Sequence, residues 1–227
     1  MEEIMNFGVL KGKLHDKLFS KLNDEISELR PAQSKAVESG LLEGRNLLIC
    51  TPTASGKTLI AELAMVNKAY NENMKSVYVV PLKALAREKY KYFSKYSDLN
   101  VAVATGDIDS DEKRLSDCDI IITTSEKLDS LVRHHCPWLR RVGVVVIDEI
   151  HLLNDPGRGP TLEIMITMLK SMLKAQMVGL SATIGNANEL AGWLDANLVE
   201  DSWRPVELNK GVMHENKIEF YQSNPDL

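Results

Sequence analysis

Long apolar runs are missing from this 227-residue sequence, and none approaches the roughly 20 residues that a membrane-spanning helix needs. The start, Met1-Glu-Glu-Ile-Met, is acidic and lacks the apolar core of a secretory leader. Cysteine is scarce. Cys50, Cys118 and Cys136 are an odd number without metal-ligand spacing, which argues against a disulfide framework and a zinc module and for reduced core thiols. A basic excess is absent too: 27 Lys and Arg against 32 Asp and Glu leave a net charge of −5. That excludes a wholly basic nucleic-acid coat but not a locally positive cleft. There is no internal repeat and no low-complexity tract. These absences point to a soluble, intracellular chain in a reducing compartment, with no membrane partner. What is present, 44% hydrophobic and 26% charged residues, suits one α/β domain with a full core and at most a short appendage.

Two stretches carry chemistry. Thr51-Pro-Thr-Ala-Ser-Gly-Lys-Thr58 lies between the apolar runs Leu47-Leu-Ile-Cys50 and the one beginning at Leu59, which reads as a buried strand, a tight loop and a helix. A phosphate chain needs inward-turned backbone N–H groups, the positive end of a helix and an ammonium. Thr53, Ala54 and Ser55 supply loop backbone, Gly56 the close approach, Lys57 the cation and Thr58 a hydroxyl for Mg²⁺. The strict pattern would have Gly where Thr51 stands, so only its second half is met. The second stretch is Val142-Gly-Val-Val-Val-Ile-Asp-Glu-Ile-His151, whose continuous β-branched residues mark a central parallel strand opening into a ligand crevice. Asp148 is expected opposite Thr58, holding Mg²⁺ directly or through water, with Glu149 polarising the water that attacks the γ-phosphate. Acidic residues after a strand often serve only as helix caps; paired with the phosphate loop they spell a nucleoside triphosphatase.

Along the rest of the chain, Leu14, Leu18, Leu22 and Ile26 recur four apart and predict a short amphipathic helix packed on the domain. Pro31 starts a helix expected to run to about Leu42, and Gln33 carries an amide able to pair with an adenine edge, although most helix glutamines only meet water. Strands are expected at 76–80, 101–105, 120–124 and 176–180. Lys83, Arg87, Lys91 and Lys95 form a four-spaced row, which rotates ~40° per step. Lys83, and with less reach Arg87, are therefore assigned to phosphate contacts, and Lys91 and Lys95 to solubility. Pro81, Gly106, Thr124 and Ser125 stand at strand ends where backbone and hydroxyl groups suit a sugar-phosphate chain. Ser125 also reads as a helix cap. Met165, Met168 and Met172 read as core filler, Ser181 and Thr183 as hydroxyls able to bond Glu149 or His151, and residues beyond 205 as a polar tail. The whole predicts a RecA-like P-loop domain, a doubly wound, mainly parallel sheet with helices on both faces.

From Leu29 to Pro205 the chain resembles the first motor lobe of superfamily 2 helicases, most closely archaeal Ski2-like DNA helicases of the Hjm and HelQ kind. The residues concerned are Pro52-Thr-Ala-Ser-Gly-Lys-Thr58, Val79-Val-Pro-Leu-Lys-Ala-Leu-Ala86, Thr105-Gly-Asp107, Thr124-Ser-Glu-Lys127, Asp148-Glu-Ile-His151, Arg158-Gly-Pro-Thr-Leu-Glu163 and Ser181-Ala-Thr183. The resemblance implies that ATP and Mg²⁺ are bound and that Gln33 senses adenine. It further implies that His151, Ser181 and Thr183 couple the nucleotide to the nucleic acid. Pro81, Lys83, Gly106, Thr124, Ser125 and Arg158 would line the track. It implies 3′ to 5′ movement on single-stranded or forked DNA in replication or repair, with an RNA helicase or a non-hydrolysing nucleotide module as alternatives. Residues 1–28 would be an accessory helical segment, 29–205 the motor lobe, and 206–227 a lead toward a second motor domain and further C-terminal domains. Lacking those parts, the chain reads as an excised lobe that binds ATP weakly and does not unwind duplexes. An archaeal source would place it with the nucleoid.

Overall fold

The computed structural model describes residues 5–106, 112–206, 210–215 and 217–221. Asp107, of the stretch Thr105-Gly-Asp107, lies outside them. In chain order the elements are α1 (Asp16–Asn23), α2 (Pro31–Glu38), β1 (Leu47–Cys50), α3 (Lys57–Glu72), β2 (Lys75–Val80) and α4 (Lys83–Phe93). Next come β3 (Val101–Ala104), α5 (Glu112–Ser116), β4 (Ile120–Thr124), α6 (Ser125–Arg133), β5 (Val142–Ile147) and α7 (Gly159–Met172). The chain closes with β6 (Gln176–Ser181), α8 (Ala187–Leu194), β7 (Asn197–Glu200), β8 (Lys210–His214) and β9 (Lys217–Tyr221).

Strands β1 to β7 form one sheet in the order β3-β4-β2-β5-β6-β1-β7, and every pairing in it is parallel. Alternate strand residues feed two cores. Leu47, Ile49, Tyr78, Val144 and Val178 pack against helices α1 to α4, while Leu48, Val77, Ile121, Val145 and Met177 pack against α5 to α8. The doubly wound RecA-like architecture is thus present, with the amino-terminal helices on one face and the later ones on the other. Leu14, Leu18 and Leu22 all belong to the first core, but α1 spans only Asp16–Asn23, so Leu14 and Ile26 of the four-spaced set lie outside the helix. Among the described residues no helix is long and apolar enough to cross a membrane.

Several details differ from the sequence reading. Helix α2 stops at Glu38, short of Leu42, because the N–H groups of Gly40 and Leu41 turn back onto the carbonyls of Val37 and Ala36. The edge strand β7 was not foreseen: it has four residues with only Val199 buried, too short and too mixed for an apolar run. The presumed polar tail contains the antiparallel pair β8–β9, paired from Lys210↔Tyr221 to His214↔Lys217. Met165 is buried in the core, but Met172 is 44% exposed and fills nothing. Thr124, not Ser125, caps α6: its hydroxyl accepts the Lys127 N–H at 3.4 Å, and Ser125 is the first helical residue.

Gly159 opens α7 under the loop from Asp148. A Cβ there would lie 2.2 Å from the Leu153 carbonyl oxygen, a backbone atom that cannot swing aside. Gly159→Ala should cost about 1–3 kcal/mol through this overpacking. Thermal melts would register it as a drop of several degrees; an unchanged Tm would show that the loop shifts freely.

All three cysteines are buried. Burial, then the nearby Glu200 carboxylate, pushes the Cys50 thiol from 9.0 up to about 11. An unfolded chain therefore loses this proton near pH 9 while the folded one keeps it, so stability is level below pH 9 and falls as pH rises toward 11. Denaturant midpoints measured across that range should decline less steeply in Cys50→Ala. An identical slope would remove Cys50 from the account.

Candidate active site

In a parallel sheet every carboxyl end opens on the same edge, and the strand order decides what gathers there. Strand β6 lies between β1 and β5. The loop after β1, with Lys57 and Thr58, and the turn after β5, with Asp148 to His151, therefore flank the end of β6 at Ser181. Register fixes their level: Cys50 pairs with Ser181, and Ile147 with Gly179.

The phosphate loop is held from within. Thr51 Oγ1 and Ser55 Oγ lie 2.7 Å apart and are buried, so the residue standing where Gly was expected fixes the loop through its hydroxyl. Thr53 and Ala54 are exposed at the tip. Ala54 (φ 64°) and Gly56 (φ 93°) adopt left-handed backbone, the alternation that turns successive N–H groups toward one point. A Cβ on Gly56 would stand 2.2 Å from Gln33 Nε2, so a side chain here would displace that amide as well as strain the left-handed backbone. The Lys57 ammonium donates to the carbonyls of Thr51 (2.8 Å) and Pro52 (3.1 Å). Burial lowers its pKa, opposed by the charges of Glu149 and Asp148, which places the ammonium within the field of both carboxylates. A lysine in such a field, at the amino end of the 16-residue helix α3, is an anion-binding arrangement.

Gln33 is buried with both ends of its amide engaged. Its Oε1 accepts the Arg30 N–H at 2.8 Å and its Nε2 donates to the Gly56 carbonyl at 3.1 Å. The amide thus ties the start of α2 to the phosphate loop. Arg30, which the sequence reading passed over, adds a second tie, Nη1 to the Ala54 carbonyl at 2.6 Å, and its guanidinium lies 5.5 Å from the Trp203 ring centre. Beside them a cavity of about 410 Å³ is bordered by Glu25, Arg30, Gln33, Gly56, Thr58 and Tyr92.

On the opposite strand, Asp148 is oriented by two donors: the Tyr78 hydroxyl to Oδ2 at 2.9 Å and the Glu149 N–H to Oδ1 at 3.1 Å. Glu149 has φ 52°, unfavourable for a residue with a Cβ, and this turn keeps its carboxylate at the strand end rather than in a helix. His151 Nδ1 faces two partners, Glu149 Oε2 at 3.3 Å and the Ala182 N–H at 3.4 Å. The contact with the Ser181-Ala-Thr183 segment therefore runs through backbone. Contrary to expectation, neither hydroxyl there bonds Glu149 or His151: Ser181 Oγ is buried without a hydrogen-bond partner among the described residues, and Thr183 is exposed. The Ser181 hydroxyl lies beside the Cys50 thiol across the β1–β6 pairing.

Thr58 and Asp148 present hydroxyl and carboxylate oxygen, the donors a hard divalent ion takes while keeping waters and phosphate oxygens in its other positions. Among the described residues there is no cluster of three or more His, Cys, Asp and Glu that would hold a metal by itself. The donor set therefore fits an ion that arrives with a phosphate chain.

The remaining candidates occupy the other half of the same edge. Pro81, Gly106 and Thr124 follow β2, β3 and β4, the contiguous outer strands, while Lys83 stands exposed at the first turn of α4. Thr124 and Ser125 are largely buried, and Arg158 is exposed before α7. The basic row splits differently from its periodicity. Lys95 does not serve solubility: its ammonium lies 2.6 Å from the buried Glu62 carboxylate and over the rings of Tyr92 and Tyr96. Lys89, off the row, donates to Thr58 Oγ1 at 3.1 Å. Tyr78 and Lys89 bond candidate-site residues and sequence reasoning missed both; the hint was one aromatic among the valines of Val77–Val80.

Residues 30–190 match the model of the DEAD/DEAH box helicase family. The chain belongs to that family. Two similar helicases are both described as ATP-dependent DNA helicase Hel308. The one from Pyrobaculum calidifontis is 55% identical over 197 residues, 86% of this chain and 28% of that protein. The one from Thermococcus kodakarensis is 52% identical over 208 residues, 88% of this chain and 18% of that protein. A crystal structure of the DUF1998 helicase MrfA bound to DNA superposes with a TM-score of 0.71 at 25% identity, over 84% of this chain and 30% of that one. The chain thus spans under a third of the length of these helicases, and its matched residues include the phosphate loop, Asp148 to His151 and Ser181 to Thr183.

Proposed function

We propose that this chain is the first motor lobe of an ATP-dependent DNA helicase. Residues 29–205 would form the lobe, 1–28 an accessory segment docked on it, and 206–227 a lead toward a second motor domain with further domains beyond. The observation that carries the reading is the convergence at one sheet edge of the Lys57 loop with the Asp148–Glu149 turn, on the two strands that flank β6.

In this reading the backbone of Thr53 to Gly56 and the Lys57 ammonium hold the β- and γ-phosphates. Lys57 exchanges its contacts with the Thr51 and Pro52 carbonyls for phosphate oxygens. Thr58 and Asp148 would hold Mg²⁺, which when bound neutralises charge on the phosphate chain. Glu149, beside the γ-phosphate end, orients and deprotonates the attacking water. Gln33 and Arg30 border the cavity that suits the adenosine part, with one amide hydrogen and one lone pair of Gln33 still free for a base edge. His151 links Glu149 to the β6 end: with its proton on Nε2 it accepts from Ala182, and with it on Nδ1 it donates to Glu149. That choice would relay nucleotide state from β5 to β6. The outer half of the edge, with Pro81, Lys83, Gly106, Thr124 and Ser125, and the exposed Arg158 would follow the backbone of one DNA strand.

The full-length protein should displace a strand from a 3′-tailed DNA fork only with ATP, and a matched RNA fork should serve poorly. Equal action on both would favour the RNA reading, and ATP-independent action would sink the motor assignment. Residues 1–227 alone should unwind neither.

A further inference from the structure

Resting on the assignment of Thr58 and Asp148 just given, we infer that Lys89 is a built-in cation occupying the Thr58 hydroxyl, which the divalent ion must displace when nucleotide binds. Each oxygen donor is engaged by one member of a side-chain pair. Lys89 Nζ donates to Thr58 Oγ1 at 3.1 Å, the Tyr78 hydroxyl donates to Asp148 Oδ2 at 2.9 Å, and Lys89 Nζ stands 5.7 Å from the Tyr78 ring centre. The ammonium thus holds the Thr58 hydroxyl directly and neighbours the ring whose own hydroxyl holds Asp148.

Its setting does not suit a structural ion pair. The Lys89 side chain is only 11% exposed, yet the carboxylate paired with it is Glu88, 3.8 Å away and itself 68% exposed. Such a pair contributes little. The neighbouring Lys95, by contrast, has a buried carboxylate at 2.6 Å. Lys89 is therefore a mostly desolvated cation whose close partner is a neutral hydroxyl, a state that another cation on the same oxygen makes unfavourable. An ion binding Thr58 Oγ1 at the usual ~2.1 Å would stand within about 5 Å of the ammonium, where the two charges repel strongly in a half-buried setting.

The last turn of α4 and the residues just after it are fastened to α3 at a second place, where Tyr92, Lys95 and Tyr96 all bond Glu62, and that fastening involves neither candidate metal donor. Release of Lys89 would thus free the amino-terminal part of α4, which begins at Lys83 two residues after Pro81, while its far end stays fixed. The nucleotide site and the proposed DNA track would be joined by one lysine.

The test is equilibrium binding of a fluorescent ATP analogue to the full-length protein as magnesium chloride is titrated. Lys89→Met should lower the half-saturating magnesium concentration about tenfold, the size expected for losing one charge-assisted contact. Lys89→Gln, which keeps a hydrogen-bonding end without the charge, should follow it, and Lys89→Arg should stay within about twofold of the parent. An unchanged or raised magnesium requirement in both neutral variants overturns the proposal, as would Lys89→Arg behaving like Lys89→Met. A parent protein that binds no analogue at any magnesium concentration would overturn the assignment of the site itself, a result distinct from a normal parent with unresponsive variants.

Discussion

Glu149→Gln should lower ATP turnover by roughly 10²–10⁴ in the full-length protein, the range for loss of a positioned general base. Nucleotide affinity should stay within a few-fold. The substitution keeps the size of the side chain and removes only basicity and charge. Its backbone is already committed: φ of 52° is set by the turn, and the N–H donates to Asp148 Oδ1 at 3.1 Å whatever the side chain. The Asp148 carboxylate, oriented by Tyr78, is left where it was. One secondary effect is foreseeable, because Lys57 loses a carboxylate that favours its charged form. A burst of single-turnover chemistry at the parental rate in Glu149→Gln would move the base to another group, with Asp148 or His151 next in line. Abolished binding would show that Glu149 shapes the site rather than the reaction.

Glu62→Ala should destabilise the fold by about 3 kcal/mol, the lower part of the range for breaking a buried charge pair. Glu62 is wholly buried on α3 and takes three donors: Tyr92 OH at 2.6 Å, Tyr96 OH at 2.5 Å and Lys95 Nζ at 2.6 Å. Removing it leaves two phenols and an ammonium without their acceptor. Lys95 is partly exposed and can turn to water, which sets the lower end of the range. Burial first, then the Glu62 charge, raises both tyrosine pKa values far above 10.0, so absorbance titration supplies an independent readout. In the variant both phenols should ionise at lower pH than in the parent. A variant as stable as the parent, with unmoved tyrosines, would mean that the cluster contributes nothing to holding α4.

The fold was legible wherever a strand was buried on both faces. Val142–Ile147 and Ile120–Thr124 are continuous apolar or β-branched runs, and all their residues are buried. The edge strand β3 still showed two buried positions and was foreseen, whereas β7, with one buried residue, and the β8–β9 pair gave no such signal and escaped notice. The site was legible where chemistry demands rare combinations in sequence, as in Gly56-Lys57-Thr58 and Asp148-Glu149. It was not legible where a partner comes from a distant element. Nothing near Lys89 in the sequence marks Thr58 as its partner, 31 positions away, and nothing near Tyr78 marks Asp148, 70 positions away. Strand order brings these together, and spacing along the chain does not report it. The same holds for Gln33, whose contact with Gly56 exists because α2 and α3 pack side by side on one face.

The central claim is that the Lys57 loop and the Asp148–Glu149 turn act on one triphosphate under the influence of DNA. Steady-state ATP hydrolysis by the full-length protein, with and without single-stranded DNA, tests it most directly when the parent is set beside Lys57→Ala and Asp148→Ala. The account predicts hydrolysis that rises severalfold or more with DNA and falls to background in both variants. Hydrolysis that persists when either residue is gone, or that DNA leaves unaltered in the parent, would contradict it.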